Sequence, residues 1–177
     1  MYLGDGHVVK YPRAYALRVF LNEHRPDIID RVKAAITAVL PDNRVSQAGR
    51  RGAAVVIVTC YSQAWPKLFP QHGPGRKHAR PIALEPWQRV IVDRYPEEFL
   101  RGCLESDGCR HRRIVKGKNY PAYSFTNHSE DILRLFTTAC DLIGLHWRRA
   151  NRVTISIARR ADVARLDALF AGVPAHL

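Results

Sequence analysis

The sequence predicts an α+β protein built by pseudo-twofold duplication of one αββαββα unit. Three observations predict it. The dipeptide Asp-Gly closes a helix-like stretch twice, at Asp5-Gly6 and at Asp107-Gly108. After each one, the apolar pattern runs in the same order: alternation, a helical stripe, then alternation again. Each half closes on the same pair, Leu68-Phe69 and Leu169-Phe170.

The opening helix is whole only in the second copy, where residues 99–108 read FLRGCLESDG. Gly102 and Ser106 are small and one turn apart, so that face can approach another helix closely, with Phe99, Cys103 and Leu104 supplying apolar contact beside it. Asp107 falls where the helix dipole is negative, an unfavourable end for a carboxylate, which a bound cation would explain. Gly108 is expected to end the helix in the left-handed conformation. The first copy, MYLGDG, keeps only the last turn, so it is read as truncated or as beginning upstream of Met1. Two such helices packed side by side in parallel bring both carboxylates to one end. That makes a hard, oxygen-rich site suited to Mg²⁺.

The remaining elements follow in order. Residues 7–20 read as a hairpin with its turn at Tyr11-Pro12-Arg13, because Tyr15, Leu17 and Val19 alternate with Ala16, Arg18 and Phe20. Over residues 26–40 the period becomes helical, with Ile28, Ile29, Val32, Ala35, Ile36 and Val39 on one stripe. Pro26 suits an early helical position, and Pro41-Asp42-Asn43 stops the helix. Residues 44–47 and 53–60 form a second hairpin whose turn carries Arg50 and Arg51, and residues 62–69 a short closing helix. Residues 70–86, rich in Gly, Pro and basic groups, read as a loop joining the halves, followed by a short helix over 87–94. The second copy repeats the order: strands 109–115 and 121–126 around a longer turn at 116–120, a helix over 129–143 capped by Ser129, strands 146–149 and 153–158, and a helix over 161–170. Trp65, Trp87 and Trp147 are expected in the core. The domain reading is an N-terminal half at 1–70, a basic linker and short helix at 71–95, and a C-terminal half at 96–177.

Composition narrows the partner. Hydrophobic residues make up 46%, which excludes a disordered tail, and 177 residues suffice for one core or two small ones. Lys and Arg number 28 against 16 acids, a net charge of +12 that points to a polyanion, nucleic acid first. An anionic membrane would want a basic amphipathic helix or a long apolar run, and neither is present. Cys60, Cys103, Cys109 and Cys140 form no C-x-x-C pair, which speaks against a structural zinc site. With no signal peptide, free thiols and a cytoplasmic, nucleoid-associated location are expected.

The segments Tyr2-Leu3-Gly4-Asp5-Gly6 and Leu100-Arg101-Gly102-Cys103-Leu104-Glu105-Ser106-Asp107-Gly108, with the repeated element order, resemble the LAGLIDADG homing endonucleases of the two-repeat, single-chain type. The resemblance implies two curved antiparallel sheets forming a saddle, with the motif helices at the interface of a pseudo-symmetric monomer. It implies that Asp5 and Asp107 bind Mg²⁺ or another divalent cation and are catalytic. The implied reaction is hydrolysis of both strands of double-stranded DNA at a long recognition site. Transcription regulators that resemble this family bind DNA without cutting it, which makes a regulator the alternative; nothing in the sequence favours an RNA-splicing role.

DNA contact is expected from hairpins, since a two-stranded ribbon can enter the major groove. Arg13, Arg18, Arg110, Arg112, Lys116, Lys118, Arg148 and Arg152 lie on or beside predicted hairpins, and Lys77 lies in the basic loop. Lys77, Lys116 and Lys118 are candidates for sharing transition-state charge, though plain phosphate contact is the favoured role. His72 and His78 flank the basic loop, and His7 and His111 follow the two acids; a zinc site there would need further ligands that the sequence does not assign.

Overall fold

Two four-stranded antiparallel sheets of identical strand order, accompanied by six helices, make up the protein in a computed structural model that describes residues 1–49 and 52–170. The chain divides into two units, Met1–Gly75 and the part from Arg76 onward.

In the first unit β1 (Gly6–Lys10), β2 (Tyr15–Asn22), β4 (Val55–Tyr61) and β3 (Val45–Gly49) lie side by side in that order. The strand period of two turns Leu17, Val19 and Leu21 to one face. There they meet Val58 and Cys60 of β4 and the stripe Ile28, Ile29, Val32 and Ile36 of α1 (Pro26–Val39). Trp65, at the start of the short α2 (Trp65–Leu68), closes this core and donates its indole N–H to the Cys60 carbonyl at 2.8 Å. Met1 and Tyr2 pack against its edge, with Tyr2 stacked on Phe69 at 4.0 Å between centroids.

The second unit opens with a 3₁₀ turn (Lys77–Ala79), α3 (Pro86–Arg94) and α4 (Pro96–Asp107). Its sheet runs β5 (Gly108–Val115), β6 (Lys118–Thr126), β8 (Thr154–Ile157), β7 (Arg148–Asn151). Buried Phe125, Ile155 and Ile157 come from the strands, and Ile132, Phe136 and Cys140 from α5 (Glu130–Leu142). Phe125 and Phe136 stack at 4.3 Å. Ser129 caps α5 as its sequence predicts, its hydroxyl accepting from the Ile132 N–H at 3.4 Å. The last helix, α6 (Arg160–Leu169), buries Val163 and Leu166 and receives a hydrogen bond from Arg101 at its Leu169 carbonyl.

Residues 1–5 form the single turn expected of the short first motif, with Asp5 N–H donating to the Met1 carbonyl at 3.1 Å. Several other expectations need correction. The β5–β6 connection is the two-residue turn Lys116-Gly117, both with positive φ (49° and 74°), rather than a longer turn over 116–120. Such a turn matches the twist of the flanking strands, so pairing continues to Val115 opposite Lys118. Pro121 therefore lies inside β6, opposite Arg112 and beyond the reach of β8, where the strand is an edge and the missing N–H costs nothing. Trp87 and Trp147 are 45% and 37% exposed, so only Trp65 of the three tryptophans is core. Trp147 instead donates to Asp141 at 2.7 Å. Arg50 and Arg51 lie outside the described residues.

Candidate functional site

Each unit puts its motif acid at the same topological position. Gly6 pairs with Val19, which pairs with Val58; Gly108 pairs with Phe125, which pairs with Ile155. All four partners are buried core residues. Asp5 and Asp107 each sit one residue before the first strand of a sheet, at the same register against the same two neighbouring strands.

The glycine that follows each acid is required by close approach rather than by the left-handed conformation expected for Gly108. Its φ is −96°, ordinary extended backbone. A Cβ built on it would stand 2.4 Å from the Leu104 carbonyl oxygen, and one on Gly6 would stand 2.9 Å from the Tyr2 Cα. In both copies the chain leaves the turn across the backbone of the residue four positions earlier, and only a residue without a side chain fits.

Asp107 ends α4, and its Oδ2 accepts the Asn127 side-chain amide at 2.9 Å. Asn127 is itself fixed from both sides: its Oδ1 accepts from Ser129 N–H at 2.9 Å, and its N–H donates to the Val153 carbonyl at 2.9 Å. Sequence reading missed Asn127. The signal for it is weak, a polar residue just past a strand and just before a helix cap. The position two residues past the glycine's strand partner carries buried Leu21 in the first copy and Asn127 in the second. Below the acid, burial pushes the Cys103 thiol up to about 12, so it stays protonated and unreactive.

The faces of the two sheets turned away from α1 and α5 carry matching rows. His7, Arg18, Thr59 and Ser46 pair in sequence across the first sheet. Cys109, Ser124, Ser156 and Arg148 do so across the second. Paired residues share a face, and these alternate with core positions, so each row points outward. Arg18 lies over the Phe20 ring at 5.6 Å, with His7 stacked on the same ring at 5.4 Å.

The predicted contact residues separate on this basis. Arg18, Arg148 and Lys118 belong to outward faces. Arg13 and Arg152 are exposed at the β1–β2 and β7–β8 turns, and Lys116 at the β5–β6 turn. Lys77 is half-buried in the 3₁₀ turn. Arg112 is exposed, yet by alternation it falls on the helix side of its hairpin. Arg110 is also on the helix side, and its guanidinium is committed to Asp167 of α6 by two bonds of 2.7 and 2.9 Å. The Tyr123 hydroxyl donates to the same carboxylate at 2.7 Å. Arg110 is thereby a tether for α6 and not part of the outward surface. Arg113, which sequence reading passed over, takes an outward position opposite Tyr120. The alternation of residues 108–115 would have found it once Gly108 was known to be the first strand residue.

Carboxylate and amide oxygens are ligands for a hard divalent cation. Among the described residues no cluster of three or more His, Cys, Asp or Glu is placed to hold a metal ion. Mg²⁺ does not demand one, because it keeps several waters and commonly takes one or two protein carboxylates plus phosphate oxygens. A carboxylate has about four acceptor sites, so the Asn127 bond leaves Asp107 with capacity for a cation.

No protein-family model matches the chain, and no curated protein matches it in sequence. Solved structures match its fold. The homing endonuclease I-DmoI in complex with DNA and Mn is similar at a TM-score of 0.61 and 12% identity, over 99% of this chain and 93% of that one. The LAGLIDADG meganuclease I-AabMI bound to uncleaved DNA is similar at 0.58 and 13% identity, over 98% and 81%. The N-terminal LAGLIDADG domain of WhiA is similar at 0.54 and 14% identity, over 96% and 76%. The chain has the LAGLIDADG fold with its two duplicated halves. Among the described residues no helix is long and apolar enough to cross a membrane.

Proposed function

We propose that this protein binds double-stranded DNA as a monomer and hydrolyses its phosphodiester bonds with a divalent cation, Mg²⁺ or a similar hard ion. The observation that carries the reading is the equivalent placement of Asp5 and Asp107, each before a glycine at the same sheet register. The likeness to DNA-bound homing endonucleases and the net charge of +12 support it. Residues 1–70 and 96–177 are the two motif-bearing halves, joined by the basic segment 71–95.

In this reading Asp5 and Asp107 would each serve as a divalent-cation ligand, and Asn127 keeps the Asp107 carboxylate in one orientation. A cation held there would supply polarisation of the phosphate and a more acidic bound water. Arg13, Arg18, Arg113, Lys118, Arg148 and Arg152 grip the duplex, with Lys116 at the hairpin tip. Lys77, Lys116 and Lys118 are the candidates for sharing charge that develops on the phosphate. The second reading is a DNA-binding regulator that does not cut. The likeness to the LAGLIDADG domain of WhiA is compatible with it.

The deciding experiment incubates purified protein with supercoiled plasmid carrying random inserts, in Mg²⁺. Linear product from wild type, with binding but no cleavage by Asp107→Asn and by Asp5→Asn, supports the nuclease. Binding without cleavage by wild type assigns the regulator, and absence of binding removes both.

A further inference from the structure

His78 and His128 are 50 positions apart in the chain, and the fold brings their rings to 5.5 Å between centroids, tilted by 49°. Both side chains are exposed. His78 belongs to the 3₁₀ turn Lys77–Ala79, and His128 sits between Asn127 and the helix cap Ser129. The two segments are pinned to each other independently of the rings. Ile82, 3% exposed, donates its backbone N–H to Asp131 Oδ2 at 2.9 Å, and Asp131 lies in the first turn of α5. Nothing in DNA binding or phosphodiester hydrolysis as described above uses this pair.

We propose that His78 and His128 form a two-imidazole binding site for a borderline transition-metal ion of the Zn²⁺ class, separate from the carboxylates of the hydrolytic site. Neutral imidazole nitrogen is the ligand such ions prefer, whereas Mg²⁺ prefers oxygen. The spacing supports chelation. A tetrahedral ion at about 2.1 Å from one nitrogen of each ring sets the two ring centroids about 5 Å apart. The observed 5.5 Å is close to that separation, and both side chains are exposed. Asp131, which also faces Arg134 at 3.9 Å, holds the two segments together through the Ile82 N–H. With two protein ligands, water completes the coordination. The ion would staple the basic segment to the loop carrying Asn127, the residue that holds Asp107.

The test is calorimetric titration of the full chain with ZnCl₂ in a non-chelating buffer, alongside His78→Ala, His128→Ala and the double variant. His72→Ala is the control, because that ring lies in the other unit, with Nδ1 at 3.0 Å from the Phe69 carbonyl oxygen. Loss of even an outer-shell partner weakens metal sites about tenfold, so each single variant should lose at least about tenfold in Zn²⁺ affinity. Wild type and the control should share one strong equivalent. Zn²⁺ should raise the melting temperature of wild type and not of the double variant, since a ligand bound only to the native state stabilises it. Excess Mg²⁺ should leave the Zn²⁺ isotherm unchanged, which separates this site from the hydrolytic one, because Mg²⁺ prefers oxygen ligands and imidazole suits Zn²⁺. Isotherms that do not distinguish wild type from the double variant overturn the proposal.

Discussion

The Asn127 side-chain amide donates to the Asp107 carboxylate at 2.9 Å, across 20 positions of chain. The bond joins the end of α4 to the loop between β6 and α5 and gives the carboxylate a fixed orientation. Asn127→Ala removes this bond and the one from Ser129 N–H. Hydrogen bonds to charged groups contribute about 1.5–3 kcal/mol, so urea unfolding should show a loss of about 2 kcal/mol. Asn127→Asp should be worse than Ala at neutral pH, because it sets a second carboxylate against Asp107, and should recover below about pH 4 as carboxylates protonate. An aspartate variant as stable as wild type at neutral pH would count against the contact.

The Arg110–Asp167 pair gives a pH dependence of known sign. The Arg110 hydrogen bond holds the Asp167 carboxyl below its ordinary value, against desolvation, with help from the Tyr123 hydroxyl. A folded pKa below the unfolded one stabilises the native state above the unfolded value of about 3.9, and the gain disappears as pH falls through the folded pKa. The Asp167 side chain is 38% exposed, so solvent screening holds the contribution to about 1 kcal/mol. Asp167→Asn should therefore be less stable than wild type at pH 7, with the gap closing below about pH 3. Denaturant melts across that range measure it; a gap that widens toward acid would contradict the assignment.

Gly108 and Gly6 should differ in their tolerance of a methyl group. The added Cβ of Gly108→Ala meets the Leu104 carbonyl oxygen at 2.4 Å, inside a helix that cannot yield. Overpacking costs about 1–3 kcal/mol, and this variant belongs at or above the upper end. In Gly6→Ala the nearest atom is the Tyr2 Cα at 2.9 Å, in a turn rather than a regular helix, and the overlap is half an ångström smaller. About 1 kcal/mol is expected there. Equal melting temperatures for the two variants would contradict this ranking.

Outward and helix-side arginines should separate in DNA binding. About six neutralised phosphates give a slope near −5 in log affinity against log salt. Arg148→Ala and Arg18→Ala should each make that slope shallower by about one, with little change in stability. Arg110→Ala should leave the slope unchanged and lower the melting temperature, because its guanidinium is occupied by Asp167. Fluorescence anisotropy with a labelled duplex at several salt concentrations distinguishes them. A slope change for Arg110→Ala equal to that for Arg148→Ala would place the contact surface elsewhere.

What the sequence by itself determined is the order of elements, the duplication and the basic character. Periods of two and 3.6 are properties of neighbours along the chain, so the stripe from Ile28 to Ile36 and the alternation from Tyr15 to Leu21 could be read without knowing what they pack against. The two Asp-Gly pairs were legible for the same reason. The tertiary structure alone decided which basic residues face outward, since one step of register sends Arg113 to one face and Arg110 to the other. It alone exposed Trp87 and Trp147, because burial depends on what lies opposite a side chain and not on its hydrophobicity. Contacts such as Asn127 with Asp107, Arg110 with Asp167 and His78 with His128 join segments far apart in the chain. No local pattern records them, because they exist only once the second sheet has fixed the ends of its loops.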